Sequence, residues 1–290
     1  MAMRLGTAAL LAALCACSPR MMLVNGLANE LANQGQMPEE DLGLAREASA
    51  FYLKLSESVL LQSPGNLKLA EAVAGGFTQY SFAFIAFDAD RAEAKDAKAA
   101  QKLRERAARL YLRAHHHAMA ALEHDAPGFR AALAHAEPSR WPRLSDSQVP
   151  IAYWAAASWG GYISLSKDDP DAVADLPLAT RLARQAWERS PDFGDGALAS
   201  LMGQFELARP GGTAAAALRF FDGAIATSGG KNAGAFVAKA EAIALPAGDR
   251  AAFNELLKQA LAASTARRDL PNVAMRERAL WLQGVADDLF

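Results

Sequence analysis

The sequence predicts an all-α protein, a helical repeat array of about a dozen helices in one domain. Apolar residues recur at spacings of three and four along most of the chain, as one face of a helix requires. No stretch of useful length alternates with the period of two that a half-buried strand shows. A set of spacings also recurs along residues 179–265, which indicates an array rather than a simple bundle.

Composition places the 290-residue chain among globular proteins and excludes several functions. It is 52% hydrophobic and 21% charged, which is typical of neither a disordered nor a fibrous chain. The formal net charge of −2 at pH 7 provides no basic surface for nucleic acid. Both cysteines lie within the first 17 residues, so the sequence predicts neither a disulfide scaffold nor a thiolate metal site.

The N-terminus has the pattern of a lipoprotein signal peptide at residues 1–16. Arg4 supplies a positive charge, and the residues that follow it through Ala16 are almost all apolar. This segment is shorter than the about 20 residues that a membrane-spanning helix needs. Leu14 and Ala16 precede Cys17 as a leucine and a small residue precede the modified cysteine of a bacterial lipobox, which the segment therefore resembles. We expect Cys17 to be lipidated; an ordinary signal peptide that contains a cysteine is the alternative.

Lipidation of Cys17 predicts a body that is tethered to a membrane by acyl chains. Several acyl chains on one cysteine anchor a protein stably, whereas a single chain does not. Ser18 stands where an aspartate would retain a lipoprotein in the inner membrane, so the resemblance favours the outer membrane, with the body facing the periplasm. The expected organisation is a lipidated N-terminus with a first helix at 17–40, followed by a helical repeat body at 41–290.

The first part of the body is predicted to contain three long helical stretches and one irregular connection. Residues 41–63 carry an apolar stripe and end at strong helix breakers. The stripe comprises Leu42, Ala45, Ala48, Tyr52, Leu55 and Val59. Residues 67–87 are mostly apolar, which predicts burial on most sides, and 93–123 have the pattern of a charged amphipathic helix. Four prolines between 126 and 150 mark the main irregular connection.

A repeated pattern in the second part indicates stacked helix pairs. Spacings of four, three and five separate Ala179, Ala183, Ala186 and Pro191, then Ala217, Phe221, Ala224 and Gly229, then Phe253, Leu257, Ala260 and Thr265. The pattern resembles the second helix of a tetratricopeptide repeat, where small residues let two helices approach. Thr213 and Asp249 follow the breaks and are expected to cap helices. A generic helical bundle with ordinary periodicity is the alternative.

No motif in the chain supports catalysis, so we expect a protein that is not an enzyme and has no cofactor and no metal. The histidines at 115–117 point in three directions around a helix and therefore do not converge on one ion. The aspartates within 168–175 lack the spacing of a calcium loop and are expected to cap helices. The glycine pairs at 75–76 and 160–161 lie within helical stretches, which predicts close helix packing or a pore wall.

Two aromatic clusters form a candidate ligand or partner surface. The candidates are Tyr80, Phe84, Tyr153, Trp154, Trp159 and Tyr162. Packing in the core is the main alternative for these side chains. Tyrosine and tryptophan nevertheless carry polar groups that need partners when buried, and helical arrays present concave binding surfaces. A cavity lined by Trp154, Trp159 and Tyr80 is therefore a hypothesis that the sequence supports.

Several segments resemble the TRAP transporter T-component family, whose members are periplasmic lipoproteins with degenerate tetratricopeptide-like repeats. These segments are 76–84, 152–160, 163–168, 173–177, 189–198, 210–212, 253–257 and 272–282. The resemblance implies a homotrimer that binds the periplasmic substrate-binding protein of a tripartite ATP-independent periplasmic (TRAP) transporter. It also implies a pore through each subunit that passes a hydrophobic ligand.

Two other functions are compatible with the same observations. An outer-membrane assembly or cell-wall scaffold lipoprotein would share the anchor and the repeats, and it would bind a β-barrel or the cell-wall machinery. A hydrolase within an all-α shell would need acidic or histidine side chains that converge in one pocket, and the sequence shows no such set.

Overall fold

The structure is a computed structural model that describes residues 19–34 and 39–290. Within this part of the chain there is no β-strand, and the all-α prediction is confirmed. In chain order the α-helices are α1 (Pro19–Gln34), α2 (Leu42–Leu60), α3 (Leu67–Tyr80), α4 (Phe87–Glu93), α5 (Ala97–Asp125), α6 (Phe129–Ala134), α7 (Val149–Ser164), α8 (Pro170–Ala174), α9 (Leu176–Arg189), α10 (Ala197–Ala208), α11 (Ala214–Thr227), α12 (Ala233–Lys239), α13 (Arg250–Ala266), α14 (Leu270–Gly284) and α15 (Ala286–Leu289). Cys17 and the predicted signal peptide lie outside the described residues.

Side-chain caps fix where many of these helices begin. The backbone N–H of Ala216 donates to the Thr213 hydroxyl, and that of Ala252 donates to the Asp249 carboxylate, so both predicted caps are confirmed. Asp169 caps α8 in the same way, as the aspartate-rich segment predicted. Each cap satisfies a backbone donor that the first turn of a helix leaves without an intrahelical partner.

The second half of the chain stacks as helix pairs, with α10 against α11 and α12 against α13, and with α9 between α7 and α10. The predicted second-helix positions of α9, α11 and α13 are all fully buried: Ala179, Ala183, Ala186, Ala217, Phe221, Ala224, Phe253, Leu257 and Ala260. The six alanines among these positions allow close approach of neighbouring helices, as in a tetratricopeptide-like array. The repeat interpretation is thus confirmed over the generic bundle.

Two helical stretches differ from their sequence-based boundaries. Residues 93–123 were expected to form one helix, but α4 ends at Glu93 and Asp96 caps a new helix, α5. The Asp96 carboxylate accepts a hydrogen bond from the backbone N–H of Ala99, and this cap fixes where α5 begins. Further back, α3 runs without interruption into a π-helical segment, Ser81–Ala86, whose wider turn carries the first aromatic cluster.

The array closes on itself because α14 returns to the N-terminal helices. Arg278 lies between Glu241, at 2.6 Å, and Asp90, at 3.0 Å, and is largely buried. Burial opposes the charged form, yet the hydrogen bonds and charges of these two carboxylates raise the pKa of Arg278 above its ordinary value. Phe87 packs edge-on against Trp281, with ring centroids 5.5 Å apart. The two ends of the described body therefore meet and enclose a space between them.

Among the described residues, no helix combines the length and the apolar character that crossing a membrane requires.

Candidate functional site

A cavity of about 1,110 Å³ lies where the two ends of the array meet. Its walls come from α2, α3 and the π-helical segment on one side, and from the starts of α7, α12 and α14 on the other. The segment 193–197 completes it. Pockets of roughly 300–1,000 Å³ accommodate drug-sized ligands, so this cavity is large enough for a small organic molecule.

One wall of the cavity is an apolar stripe of α2. Leu44, Phe51 and Leu55 all line the cavity and are 55%, 74% and 38% exposed. Leu55 and Ala48 belong to the apolar stripe that the sequence predicts, and both are exposed and line the cavity, whereas Val59 of the same stripe is buried. Helical periodicity finds apolar faces, but it does not distinguish a face packed on protein from a face that borders an open space.

The glycine pair of α3, Gly75 and Gly76, lets this helix pack closely against side chains of α7 and α2. A Cβ at Gly75 would lie 2.8 Å from Cε2 of the Trp154 indole, and one at Gly76 would lie 2.5 Å from Cδ2 of Leu53. The prediction of close packing is therefore confirmed, and both glycines also line the cavity. Glycine here removes the atoms that would push the indole and the leucine away.

Four of the six predicted aromatic residues border this cavity: Tyr80, Phe84, Tyr153 and Trp154. The Tyr153 ring lies 4.7 Å from that of Trp154 and 5.3 Å from that of Phe193, measured between centroids. Burial raises the pKa of Tyr153 to about 12. Within residues 19–34 and 39–290, neither the Tyr153 hydroxyl nor the Trp154 indole N–H has a hydrogen-bond partner. Both side chains thus border the cavity, and the polar group of each is free to bond to a ligand.

The other two predicted residues lie elsewhere. Trp159 is 7% exposed, its ring lies 4.3 Å from that of His115, and its indole N–H donates to Asp175 at 3.2 Å. Tyr162 is half-buried and its hydroxyl donates to Asp169 at 3.5 Å. Five residues along a helix rotate a side chain by about 140°, so Trp159 cannot share the face of Trp154. The hypothesis that Trp154 and Trp159 line one cavity together is therefore wrong.

Glu71 is a cavity residue that the sequence analysis missed. It lines the cavity from α3, one turn before Gly75, and is half-buried. No hydrogen bond or ion pair reaches its carboxyl group from any residue of the described ranges. Burial raises the pKa of Glu71, and the nearby charge of Lys68 opposes this only in part. The sequence did hold a signal, since Glu71 is the one charged residue between Leu69 and Phe87.

The consecutive histidines are dispersed around α5, as predicted. His115 is buried against the carbonyl of Ala155, His116 is exposed, and Nε2 of His117 lies 2.7 Å from Oε1 of Glu57. Burial alone would raise the pKa of Glu57, yet hydrogen bonds from Arg113, Lys54 and His117 lower it to about 2. This network joins α2 to α5 and lies outside the cavity lining.

Among the described residues, no three histidine, cysteine, aspartate or glutamate side chains come together in a way that could hold a metal ion.

An all-α repeat array with a largely apolar cavity between its two ends defines the class of this protein, a tetratricopeptide-like helical-repeat protein. The TRAP transporter T-component family model matches residues 38–290, which is most of the chain. The chain therefore belongs to the TRAP transporter T-component family, and the resemblance seen in the sequence is confirmed. A family of this description is a transporter accessory component, not an enzyme. The chain is also 26% identical over 262 residues to an uncharacterized protein of Treponema pallidum (strain Nichols), covering 87% of this chain and 81% of that protein.

Proposed function

We propose that this protein is the accessory component that binds the periplasmic substrate-binding protein of a TRAP transporter and holds an apolar ligand in its cavity. Membership of the T-component family supports an association with the transporter. The observation that carries the ligand is the cavity of about 1,110 Å³, because a protein that only scaffolds others has no need of an apolar space with unpaired polar groups.

The cavity is suited to hand a ligand to or from a partner. Its α2 wall reaches the surface at Phe51, which is 74% exposed, and at Leu44, which is 55% exposed. Large exposed apolar side chains that continue into a pocket mark a place where a ligand or a partner enters. The proposed complex would align this opening with the ligand cleft of the substrate-binding protein.

Isolation of the native complex tests this function. The full chain is extracted from membranes, incubated with periplasmic extract of the source bacterium, and its captured partner is identified by mass spectrometry. We expect a TRAP substrate-binding protein in stoichiometric amount, and the purified pair should bind each other, whereas a substrate-binding protein of an ATP-driven transporter should not bind. Recovery of barrel-assembly or cell-wall proteins instead would favour the scaffold function. Light scattering of the purified chain tests the homotrimer that the family resemblance implies.

The anchor is part of the same proposal. Lipidation of Cys17 would place the body on the periplasmic face of the outer membrane, where it meets the soluble partner. Labelling of cells with an acyl-chain analogue should mark the wild-type protein and Cys15→Ser, which is the matched control, but not Cys17→Ser. Separation of inner and outer membranes by density then tests the location, and label that persists in Cys17→Ser would contradict the assignment.

A further inference from the structure

The cavity contains a carboxyl group that forms no ion pair within the described protein. Glu71 lines the cavity, and no described residue donates a hydrogen bond to it. Lys68, one turn away, is exposed and lies beyond ion-pair distance. A buried carboxylate is costly unless it is paired, so an unpaired one in a binding cavity indicates a ligand that supplies the missing partner.

Acidic side chains outnumber basic ones in the lining of the cavity. Its lining includes four acidic residues, Glu39, Glu71, Asp195 and Asp269, and two basic residues, Lys68 and Arg267. Arg267 is already occupied, because both Asp195 and Asp269 lie 2.5 Å from its guanidinium. An anionic ligand would therefore add like charge to an acidic space, whereas a cation would be attracted to it.

The aromatic rings that line the same cavity favour the same ligand. The Trp154 indole lies over Gly75, one turn along α3 from Glu71, and Tyr153 and Phe193 continue the cluster. Faces of tryptophan and tyrosine rings attract organic cations, and ammonium groups in particular are recognised by clusters of such rings. A carboxylate and aromatic rings in one cavity offer the two interactions that an ammonium group makes.

We propose that the cavity binds an organic cation, an ammonium group between Glu71 and the aromatic cluster of Tyr153, Trp154 and Phe193, with an apolar chain along the α2 stripe. Leu44, Phe51 and Leu55 provide the surface for that chain. The proposal rests on the proposed function in one respect, that the cavity is a ligand site. It refines the apolar ligand proposed above to an amphiphile, an apolar chain with a cationic head group, which the family membership does not supply.

Three probes of equal chain length separate charge from apolar contact: hexyltrimethylammonium, hexanol and hexanesulfonate. Their affinity for the full chain in phosphatidylcholine nanodiscs is measured by isothermal titration calorimetry, with empty nanodiscs as the blank. We expect the cation to bind about tenfold more tightly than the alcohol, and the sulfonate more weakly than either. Equal or tighter binding of the alcohol or the sulfonate would overturn the assignment of a cation while leaving the cavity a ligand site.

Glu71→Gln isolates the carboxylate, and Glu47→Gln is its matched control, because Glu47 is exposed on α2 and outside the cavity lining. We expect Glu71→Gln to remove most of the preference for the cation over the alcohol and Glu47→Gln to leave it unchanged. Glu71→Asp should retain part of that preference, which protects the test if the glutamine variant folds poorly. A preference that survives in Glu71→Gln would sink the proposal. If none of the three probes binds, the ligand role falls as well, and the partner role is judged by the captured complex alone.

Discussion

Helix α7 carries two tryptophans five residues apart, and the two indoles have opposite surroundings. Trp154 borders the open cavity, lies over Gly75 and leaves its N–H without a partner in the described protein. Trp159 is packed against His115 and donates its N–H to Asp175. The same residue type thus borders a cavity on one face of the helix and packs in the core on another, and the neighbouring helices decide which.

The glycines follow the same division. At the cavity, Gly75 makes room for an indole that borders free space. In the core, Gly161 makes room for Tyr111, whose ring would lie 2.8 Å from a Cβ added there and which is buried on all sides. A helical glycine is therefore not itself a mark of function; the side chain that approaches it and the space beyond that side chain determine its role.

The largest effect should come from truncating the two tryptophans. Trp159→Ala removes a fully packed ring and should lower the free energy of unfolding by about 3–5 kcal/mol, whereas Trp154→Ala should lower it by about 1–2 kcal/mol. Urea denaturation measures both. If Trp159→Ala does not fold, Trp159→Phe, which loses the N–H donor to Asp175 and part of the indole, should still cost more than Trp154→Phe. Equal losses of unfolding free energy at the two sites would remove the distinction between a tryptophan that borders the cavity and one that is packed in the core.

Two carboxyl groups sharpen the comparison through opposite pH dependence. Glu57 is paired and has its pKa lowered from 4.5 to about 2, so its stabilisation is present above pH 4.5 and is lost as pH falls toward 2. Glu71 is unpaired and has a raised pKa, so the folded state gains stability as pH falls through that raised value toward 4.5. Glu57→Gln should therefore destabilise the protein at pH 7, by about 2–3 kcal/mol, because it leaves Arg113 without its partner.

Glu71→Gln should do the reverse at pH 7 and raise stability slightly, by about 0.5 kcal/mol, since it removes an unpaired charge from a partly buried position. Thermal unfolding from pH 3 to pH 8 compares the two variants with wild type. A loss of stability in Glu71→Gln at neutral pH would mean that the carboxylate has a structural partner, and the cavity would lose its unbalanced charge.

A small difference in stability should also distinguish the two glycines. Alanine gains about 1 kcal/mol over glycine within a helix, and overpacking costs about 1–3 kcal/mol where the neighbour cannot move. Gly161→Ala should therefore be destabilising by about 1 kcal/mol, because Tyr111 is confined. Gly75→Ala should be near neutral, because the Trp154 ring has the cavity to move into. A larger loss for Gly75→Ala in urea denaturation would show that the cavity wall is as rigid as the core.

Much of the architecture was predictable because it depends on local chemistry. The caps at Thr213 and Asp249, the small residues of α9, α11 and α13, and the divergent histidines follow from side-chain preferences and helical geometry alone. The break between α4 and α5 was missed, since Ala94 and Lys95 are good helix formers and Asp96 is compatible with both a helix interior and a cap.

The cavity was predictable only in part. The aromatic clusters drew attention to Tyr80, Phe84, Tyr153 and Trp154, which border it, and equally to Trp159 and Tyr162, which do not. The sequence identifies aromatic rings that are expected to be buried, but it does not tell which ring is packed against protein and which borders a cavity. Glu71 shows the converse, because its isolation in an apolar stretch was visible in the sequence and its significance was not.

By itself the sequence determined the helical class, the repeats, the caps and the family, because each depends on residues that are close along the chain or repeated in a fixed order. The tertiary structure alone decided where α14 meets α2 and α4, and with that closure which apolar face borders an open space. Arg278 joins Asp90 across 188 positions of the chain, and no local pattern specifies a contact at such separation. The candidate site exists because of that closure, so only the folded array reveals it.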